Sequence, residues 1–455
     1  MKITPINFYS NYQNNINPVF ARQNKPASND SFSFTGNRAD EKYESAKKYA
    51  EEFKNKNKNA LIIDTADIDF DKLEGIQNGI KVFEGLTMKE ILFIFDNLQV
   101  ISATRNCSSH CSHCYVAADY PVRENENNTN RMTFEDYSNL LEGIGELNKK
   151  IGISFLSSNK DKMLSLFQDS DCIDTYLYDK EGNKHDFIEL NKIMYDITER
   201  PGLFDTSGWN PKNKNCQQFA EKLAEHYSKD ENSDRLAQFN ISINPFHHLN
   251  TKAVMYKKAG KNDLAELYRK AYVDRMANVL FTFTPLNKSY EFGIINRAFS
   301  NDIKEADGFQ EKDLENLQLE ILKSLEEKYW QDYKSSNPKI IKHEFEIDRN
   351  KSLYKYELNG ISTKLEPSGR LIDLCNTLGI AAGYQEIESL PDIQKSFVSK
   401  IIDANGKVYL KYKSTVMPTD IQLNFENKNK NTKPFNPYKA GLLFKKENID
   451  KIYKK

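Results

Sequence analysis

The stretch of sequence from Leu98 to Tyr115 reads LQVISATRNCSSHCSHCY. Its first part, Leu98–Ala103, has the short and mostly apolar pattern of a β-strand. Three cysteines, Cys107, Cys111 and Cys114, follow within eight residues. Thiols crowded in this way are typical of a metal or cluster site and not of a disulfide framework. The stretch therefore predicts a strand that leads directly into a group of three thiolates.

Short apolar segments and amphipathic helical segments alternate after this stretch. Further strands are predicted at Ile151–Leu156, Leu203–Thr206, Ala237–Ile243 and Val279–Phe283. Helices are predicted at 134–151, Ile188–Thr198, Cys216–His226, Asp263–Ala277 and Glu311–Lys328, with a hairpin at Tyr176–Lys184. Thr133 stands where a helix N-cap is expected, and Asp136 takes the acidic position three residues later. The alternation predicts parallel strands joined by crossover helices, in an α/β sheet or barrel whose working residues follow the strands.

Charge balance, apolar runs and the first residues indicate which binding partners and which cellular compartment to expect. The 455 residues carry 64 Lys and Arg against 65 Asp and Glu, a net charge of −1. This balance argues against a nucleic-acid partner bound by bulk charge. Apolar runs are short, such as Ile91–Phe95, which argues against a membrane span. The first residues lack the apolar core of a signal peptide, and with the cysteine pattern this predicts a cytoplasmic protein.

The three crowded cysteines allow two kinds of metal site. A fully protein-ligated [4Fe–4S] cluster takes four thiolates, so three leave one iron open to a substrate or cofactor. The alternative is a structural zinc site with His110 or His113 as the fourth ligand. Adjacent His-Cys pairs rarely point to one metal, so the spacing favours the cluster.

The C-x3-C-x2-C spacing after a strand resembles the radical S-adenosylmethionine (radical SAM) superfamily, over roughly Leu98 to Lys328. The resemblance implies a partial (β/α)6 TIM-like barrel with a [4Fe–4S] cluster on the three cysteines. It implies that S-adenosylmethionine binds the open iron and is cleaved to a 5′-deoxyadenosyl radical, which abstracts hydrogen from a substrate. A peptide or a small metabolite is expected as that substrate. A low-potential electron donor of the flavodoxin or ferredoxin type, and anaerobic conditions, are expected as well.

Several predicted strand ends are similar to motifs of that family. Phe204–Gly208 resembles the Ser-Thr-Asn-Gly end of the third strand, Asn240–Asn244 the Ser-Leu-Asp end of the fourth, and Thr284–Asn287 the end of the fifth. The family's Gly-Gly-Glu-Pro motif after the second strand is absent, and Leu156–Asn159 stands in its place. By the resemblance, the residues that bind the cofactor are His113, Tyr115, Ser157, Ser158, Asn159, Ser207, Ser242 and Asn244.

The departures from the family pattern leave two alternatives open. Hydroxyl and amide oxygens hold an ammonium group more weakly than a carboxylate does. The chain is therefore also interpreted as a noncatalytic cluster-binding relative, or as a zinc-stabilised interaction protein. Cys172, Cys216 and Cys375 are expected to be ordinary buried thiols, and the lone Cys375 cannot hold an auxiliary cluster. His247 and His248 follow a predicted strand and face either a substrate or solvent.

Four segments are expected along the chain. Residues 1–40 are expected to form a disordered tail, and residues 41–96 are expected to form a small N-terminal cap. Residues 97–330 are expected to form the partial barrel, and residues 331–455 are expected to form a β-rich C-terminal domain. The cap contains a predicted polar helix at Asp40–Asn57 and short strands at Leu61–Ile63 and Ile80–Phe83. In the C-terminal domain we expect strands at Ile341–Ile347, Leu353–Leu358, Phe397–Ile402 and Lys407–Tyr412, with a tight turn at Asp403–Gly406.

Overall fold

The structure is a computed structural model. It describes residues 37–56, 68–104, 107, 131–152, 163–166, 170–243, 247–283, 286, 292–296, 399–412 and 415–426, most of 316–328, and 445, 446 and 449. Nearly all of the predicted tail, and the strands predicted at Leu61–Ile63, Ile341–Ile347 and Leu353–Leu358, lie outside the described residues.

The described chain is a mixed α/β structure. Its helices are α1 (Asn37–Lys56), α2 (Met88–Phe95), α3 (Phe134–Ile151), α4 (Phe187–Thr198), α5 (Lys214–Tyr227), α6 (Asp230–Ser233), α7 (His248–Lys258) and α8 (Asn262–Phe283). Its strands are β1 (Leu98–Ile101), β2 (Tyr176–Tyr178), β3 (Lys184–Asp186), β4 (Gly202–Thr206), β5 (Leu236–Ile243), β6 (Phe292–Asn296), β7 (Ser399–Ile402), β8 (Lys407–Tyr412) and β9 (Thr415–Gln422). Three short 3₁₀ turns lie at Phe70–Leu73, Lys81–Phe83 and Cys172–Asp174.

The strands form three sheets. The first has the order β1-β7-β8-β9, in which β1 and β7 are parallel and the other pairs antiparallel. The second is the fully parallel sheet β4-β5-β6, and the third is the β2-β3 hairpin. The strands described from the predicted C-terminal domain thus share a sheet with β1. The described strands do not close into a barrel.

Segment 163–166 connects the first sheet with the parallel one. The Ser165 backbone N–H donates to Gln99 O at 2.8 Å, and the Ile101 N–H donates to Ser165 O at 2.8 Å, which is a parallel bridge to β1. The Leu164 N–H donates to Pro201 O, just before β4, at 3.0 Å. Segment 163–166 therefore lies between β1 and β4.

One predicted strand is wrong and the start of another is wrong. Ile151 is the last residue of α3, and Gly152 caps that helix in the left-handed region, so the strand predicted at Ile151–Leu156 does not begin at Ile151, and its residues 153–156 lie outside the described residues. Val279–Phe283 is the end of α8, and β6 begins at Phe292. A short apolar run has no period that separates a buried strand from a helix that is buried on most sides. Because the end of α8 is buried in this way, its sequence looks like a strand.

The predicted strand at Ile80–Phe83 is also wrong. Successive i to i+3 hydrogen bonds, Phe83 N–H to Ile80 O and Glu84 N–H to Lys81 O, close a 3₁₀ turn there. Val82 and Phe83 are buried, and Val82 lies against Gly143 of α3. The apolar residues of this segment are thus explained by packing on a helix.

Most other predicted elements are confirmed. The Asp136 N–H donates to Thr133 Oγ1 at 3.0 Å and starts α3 as expected. The Asp136 carboxylate does not complete a capping box and accepts the Glu426 N–H at 2.7 Å. The predicted hairpin corresponds to β2-β3. The other predicted helices and strands that match the structure correspond to α1, α4, α5, β1, β4, β5, β7 and β8.

The centre of the parallel sheet is an aromatic core. The Phe204 ring of β4 stacks on Phe239 of β5, with ring centroids 4.4 Å apart, and meets Phe283 of α8 edge-on at 5.5 Å. All three side chains are fully buried. Such packing fixes the strand ends that carry the polar residues of the next section. Among the described helices, none is both long and apolar enough to cross a membrane.

Candidate functional site

The chain leaves β1 at the edge where the cysteines begin. The Ser102 N–H donates to Ile402 O at 2.7 Å, and the Ala103 N–H donates to Leu166 O at 3.2 Å, so both neighbours hold the residues after β1. Cys107 lies three residues beyond Thr104 and is half-buried. Cys111, Cys114, His113 and Tyr115 lie outside the described residues.

Ser207, at the end of β4, is fixed by a buried carboxylate. Its backbone N–H and its hydroxyl both donate to Asp171 Oδ2, at 2.7 and 3.0 Å. The other oxygen, Asp171 Oδ1, accepts the Ile173 N–H at 3.1 Å. Burial, and secondarily the neighbouring Asp174, raise the pKa of Asp171 to about 7 in spite of these donors. The Ser207 hydroxyl is therefore turned toward Asp171.

Ser242, at the end of β5, belongs to a second polar chain. Its hydroxyl lies 3.5 Å from His247 Nε2, and His247 Nδ1 lies 2.9 Å from the Tyr272 hydroxyl on α8. His247 and Tyr272 are both buried. The phenol fixes the orientation of the imidazole, so a proton can be held between Ser242 and His247. Of the two predicted alternatives for His247, a solvent-facing position is wrong.

The described segment that pairs with β1 comes after the predicted second strand in the sequence. Ser157, Ser158, Asn159 and Asn244 lie outside the described residues, so their predicted role is untested. The segment that pairs with β1 is 163–166, and the residues that follow it in sequence are Phe167-Gln168-Asp169-Ser170. Asp169 follows segment 163–166 in the sequence and lies outside the described residues.

The remaining described thiols are poor nucleophiles and metal ligands. Cys172 is fully buried, and burial raises the pKa of its thiol well above the ordinary value. Its sulfur accepts the Asp205 N–H at 3.3 Å. Burial, with the charges of Asp174 and Asp171, raises the pKa of Cys216 to about 11. Both fit the prediction of ordinary thiols, whereas Cys375 lies outside the described residues.

Sequence reasoning missed Asp171 and Tyr272 as parts of this edge. Asp171 is 36 residues from its partner Ser207, and Tyr272 is 25 residues from His247, so no local pattern joins them. The usable signal was the short, mostly apolar run Met163–Phe167, which lies between polar stretches and has the length of a short strand. Within the described part of the chain, no three His, Cys, Asp or Glu side chains converge on a metal position.

Comparisons with protein-family models, with curated proteins and with solved structures found no match. The candidate site therefore depends on its residues and their geometry.

Proposed function

We propose that the chain is a radical SAM enzyme built on a partial (β/α)6 barrel, with Cys107, Cys111 and Cys114 as the ligands of a [4Fe–4S] cluster. One observation carries the proposal: the cysteine segment leaves the carboxyl end of β1, a strand paired in parallel with its described neighbours β7 and segment 163–166. Three thiolates in this spacing suit an iron–sulfur cluster with one open iron. When bound, the cluster supplies the electron that cleaves S-adenosylmethionine to a 5′-deoxyadenosyl radical.

The partial barrel is supported by the strand arrangement. Segment 163–166 pairs in parallel with β1 and hydrogen-bonds to Pro201, just before β4. From β4 the parallel pairing continues through β5 to β6. In parallel α/β folds the loops after the strands form the active site. Ser207 and Ser242 both stand at such carboxyl ends.

The chain's own residues have separate tasks under this proposal. Ser207 is fixed by Asp171 and presents the loop after β4 in one conformation. Ser242 and His247 hold a proton at the end of β5, with Tyr272 as the positioning residue. A carboxylate is the strongest acceptor for the ammonium group of the cofactor, and Asp169 is our candidate, from its place in the sequence alone, for the acid of the family's Gly-Gly-Glu-Pro motif.

The test is metal content after anaerobic reconstitution with iron and sulfide. Replacing Cys107, Cys111 or Cys114 by Ala should abolish stable iron incorporation, whereas Cys216→Ala should leave it unchanged. Cys216 is the matched control because it is a half-buried thiol on α5 whose raised pKa disfavours ligation. Zinc retained at one equivalent with no bound sulfide would contradict the proposal. Equal iron loss in the Cys216 and Cys111 variants would do so as well.

Partners follow from the same chemistry. The substrate is a peptide or a small molecule, and the electron comes from a low-potential donor of the flavodoxin or ferredoxin type. Dithionite replaces that donor in the assay. A chain that holds a full cluster and neither binds nor cleaves S-adenosylmethionine would instead be a noncatalytic cluster-binding relative.

A further inference from the structure

Arg131 is a buried cation beside the start of the cysteine segment. It forms an antiparallel bridge with Thr104, and the Met132 N–H donates to Ala103 O at 2.9 Å. Its side chain is 6% exposed. Within the part of the chain that the structure describes, the Nε and Nη2 atoms of Arg131 are buried and have no hydrogen-bond partner. A buried charged donor without a partner is costly, so its presence calls for a ligand.

The two atoms without partners lie on the same edge of the guanidinium. The N–H bonds of Nε and Nη2 point in parallel directions, and this edge forms two hydrogen bonds with the two oxygens of one carboxylate or phosphate. The Arg131 guanidinium carbon lies 3.6 Å from the centroid of the Tyr176 ring, so this contact restricts where the guanidinium can move. The edge with Nε and Nη2 suits a planar group that accepts two hydrogen bonds.

A second polar group without a partner lies beside Arg131. Thr104 is fully buried, and its hydroxyl has no hydrogen-bond partner among the described residues. Residues directly opposite in an antiparallel pair have Cβ atoms about 4.5–5.5 Å apart on the same face. Lys184 Nζ lies 3.9 Å from the centroid of the same Tyr176 ring, and Lys184 is exposed. Arg131 and Lys184 thus both lie at the Tyr176 ring, and Thr104 lies opposite Arg131 in the bridge.

We propose that Arg131 and Thr104 form an oxyanion-binding site at the carboxyl end of β1. A carboxylate or a phosphate of a bound small molecule or peptide accepts from Arg131 Nε and Nη2 and from the Thr104 hydroxyl, and Lys184 adds positive charge at the entrance. Binding at this site needs only described residues and no cluster. Its assignment to the substrate rests on the proposed function, because Cys107 lies three residues after Thr104.

The test measures binding of simple oxyanions to the full-length chain. Dissociation constants for succinate and for inorganic phosphate are determined by saturation-transfer NMR, with succinamide as the neutral control. We expect binding of at least one oxyanion and none of succinamide, and the tighter oxyanion identifies the source. Arg131→Lys should weaken binding about tenfold or more, since it loses the bidentate edge. Thr104→Val should weaken it about fivefold.

The matched control is Arg235→Lys, the same substitution at the residue directly before β5. Arg235 Nη2 lies 3.5 Å from Asp196 Oδ1. This substitution should leave the dissociation constants unchanged. Equal weakening in the Arg131 and Arg235 variants, or no binding of either oxyanion, would overturn the site. The measurement is made before and after cluster reconstitution. If oxyanions bind but no cluster forms, the proposed function fails and this site stands. If a cluster forms but no oxyanion binds, this site fails and the proposed function stands.

A stability measurement covers the case in which Arg131 is needed for folding. Arg131→Met removes two buried donors without partners, so the melting temperature of the ligand-free chain should stay the same or rise. Oxyanion binding should be lost in this variant. A fall of about 4 °C or more would show that Arg131 stabilises the fold through its charge, and the ligand assignment would then be wrong.

Discussion

Replacing Arg200 by Met tests whether segment 163–166 lies beside β1. The Arg200 side chain is fully buried, and its Nη1 and Nη2 atoms donate to Leu98 O at 2.6 Å and to Met163 O at 2.8 Å. These carbonyls belong to the first residue of β1 and to the first residue of segment 163–166. Burial lowers the pKa of Arg200 to about 10, so the guanidinium still carries its charge at pH 7.

The size of the effect follows from those two hydrogen bonds. A hydrogen bond to a charged group contributes about 1.5–3 kcal/mol, which gives about 3–6 kcal/mol for the pair. The substitution also removes a buried charge and its desolvation cost, which offsets part of that loss. We therefore expect Arg200→Met to lower the free energy of unfolding by about 3 kcal/mol.

The assay is urea unfolding followed by circular dichroism, together with amide hydrogen exchange. Arg235→Met is the control: the half-buried Arg235 forms an ion pair with the partly exposed Asp196 and lies 6.0 Å from the Tyr195 ring centroid, and its loss should cost about 1 kcal/mol. Exchange at the Ile101 and Ser165 amides, which pair β1 with segment 163–166, should become faster in the Arg200 variant only. If the Arg200 and Arg235 variants lost the same stability and exchange at both amides stayed unchanged, the position of segment 163–166 beside β1 would be refuted.

Two further predictions concern local stability. Thr133→Ala removes the hydroxyl that accepts the Asp136 N–H at the start of α3, and it should lower the free energy of unfolding by about 1 kcal/mol in urea. Asp171→Asn should change how stability depends on pH. Because the folded-state pKa of Asp171 is raised from 3.8 to about 7, folding favours its protonated form, and wild-type stability falls as the pH rises from about 4 to 7. The Asn variant should lose that part of the slope, and parallel stability curves for the two chains over this range would contradict the burial of Asp171.

The sequence predicts local features of this fold well. The cap at Thr133, the period of α3 and the strand before Cys107 each depend on neighbouring residues, and each is found. The start of the strand predicted at Ile151–Leu156 was wrong because Ile151 ends a helix that Gly152 caps, and the rest of that predicted strand lies outside the described residues. A single apolar run could not show which element it belongs to.

Long-range pairing was beyond sequence reasoning. β7 pairs with β1 across about three hundred residues of chain, and no pattern within either strand specifies the partner. The same holds for the candidate site. The cysteine spacing is local and was visible. The contact of Asp171 with Ser207, and the lack of a hydrogen-bond partner at two Arg131 nitrogens among the described residues, arise from tertiary packing. Burial without a partner can be recognised only in three dimensions.

The account depends most on the reaction at the three cysteines. The decisive measurement is the release of 5′-deoxyadenosine and methionine from S-adenosylmethionine by the anaerobically reconstituted, dithionite-reduced chain. We expect equal amounts of the two products from the wild type and none from Cys111→Ala, with the Cys216→Ala control active. A fully loaded cluster whose electronic spectrum is unchanged by S-adenosylmethionine, with neither product formed, would contradict the enzyme that we propose.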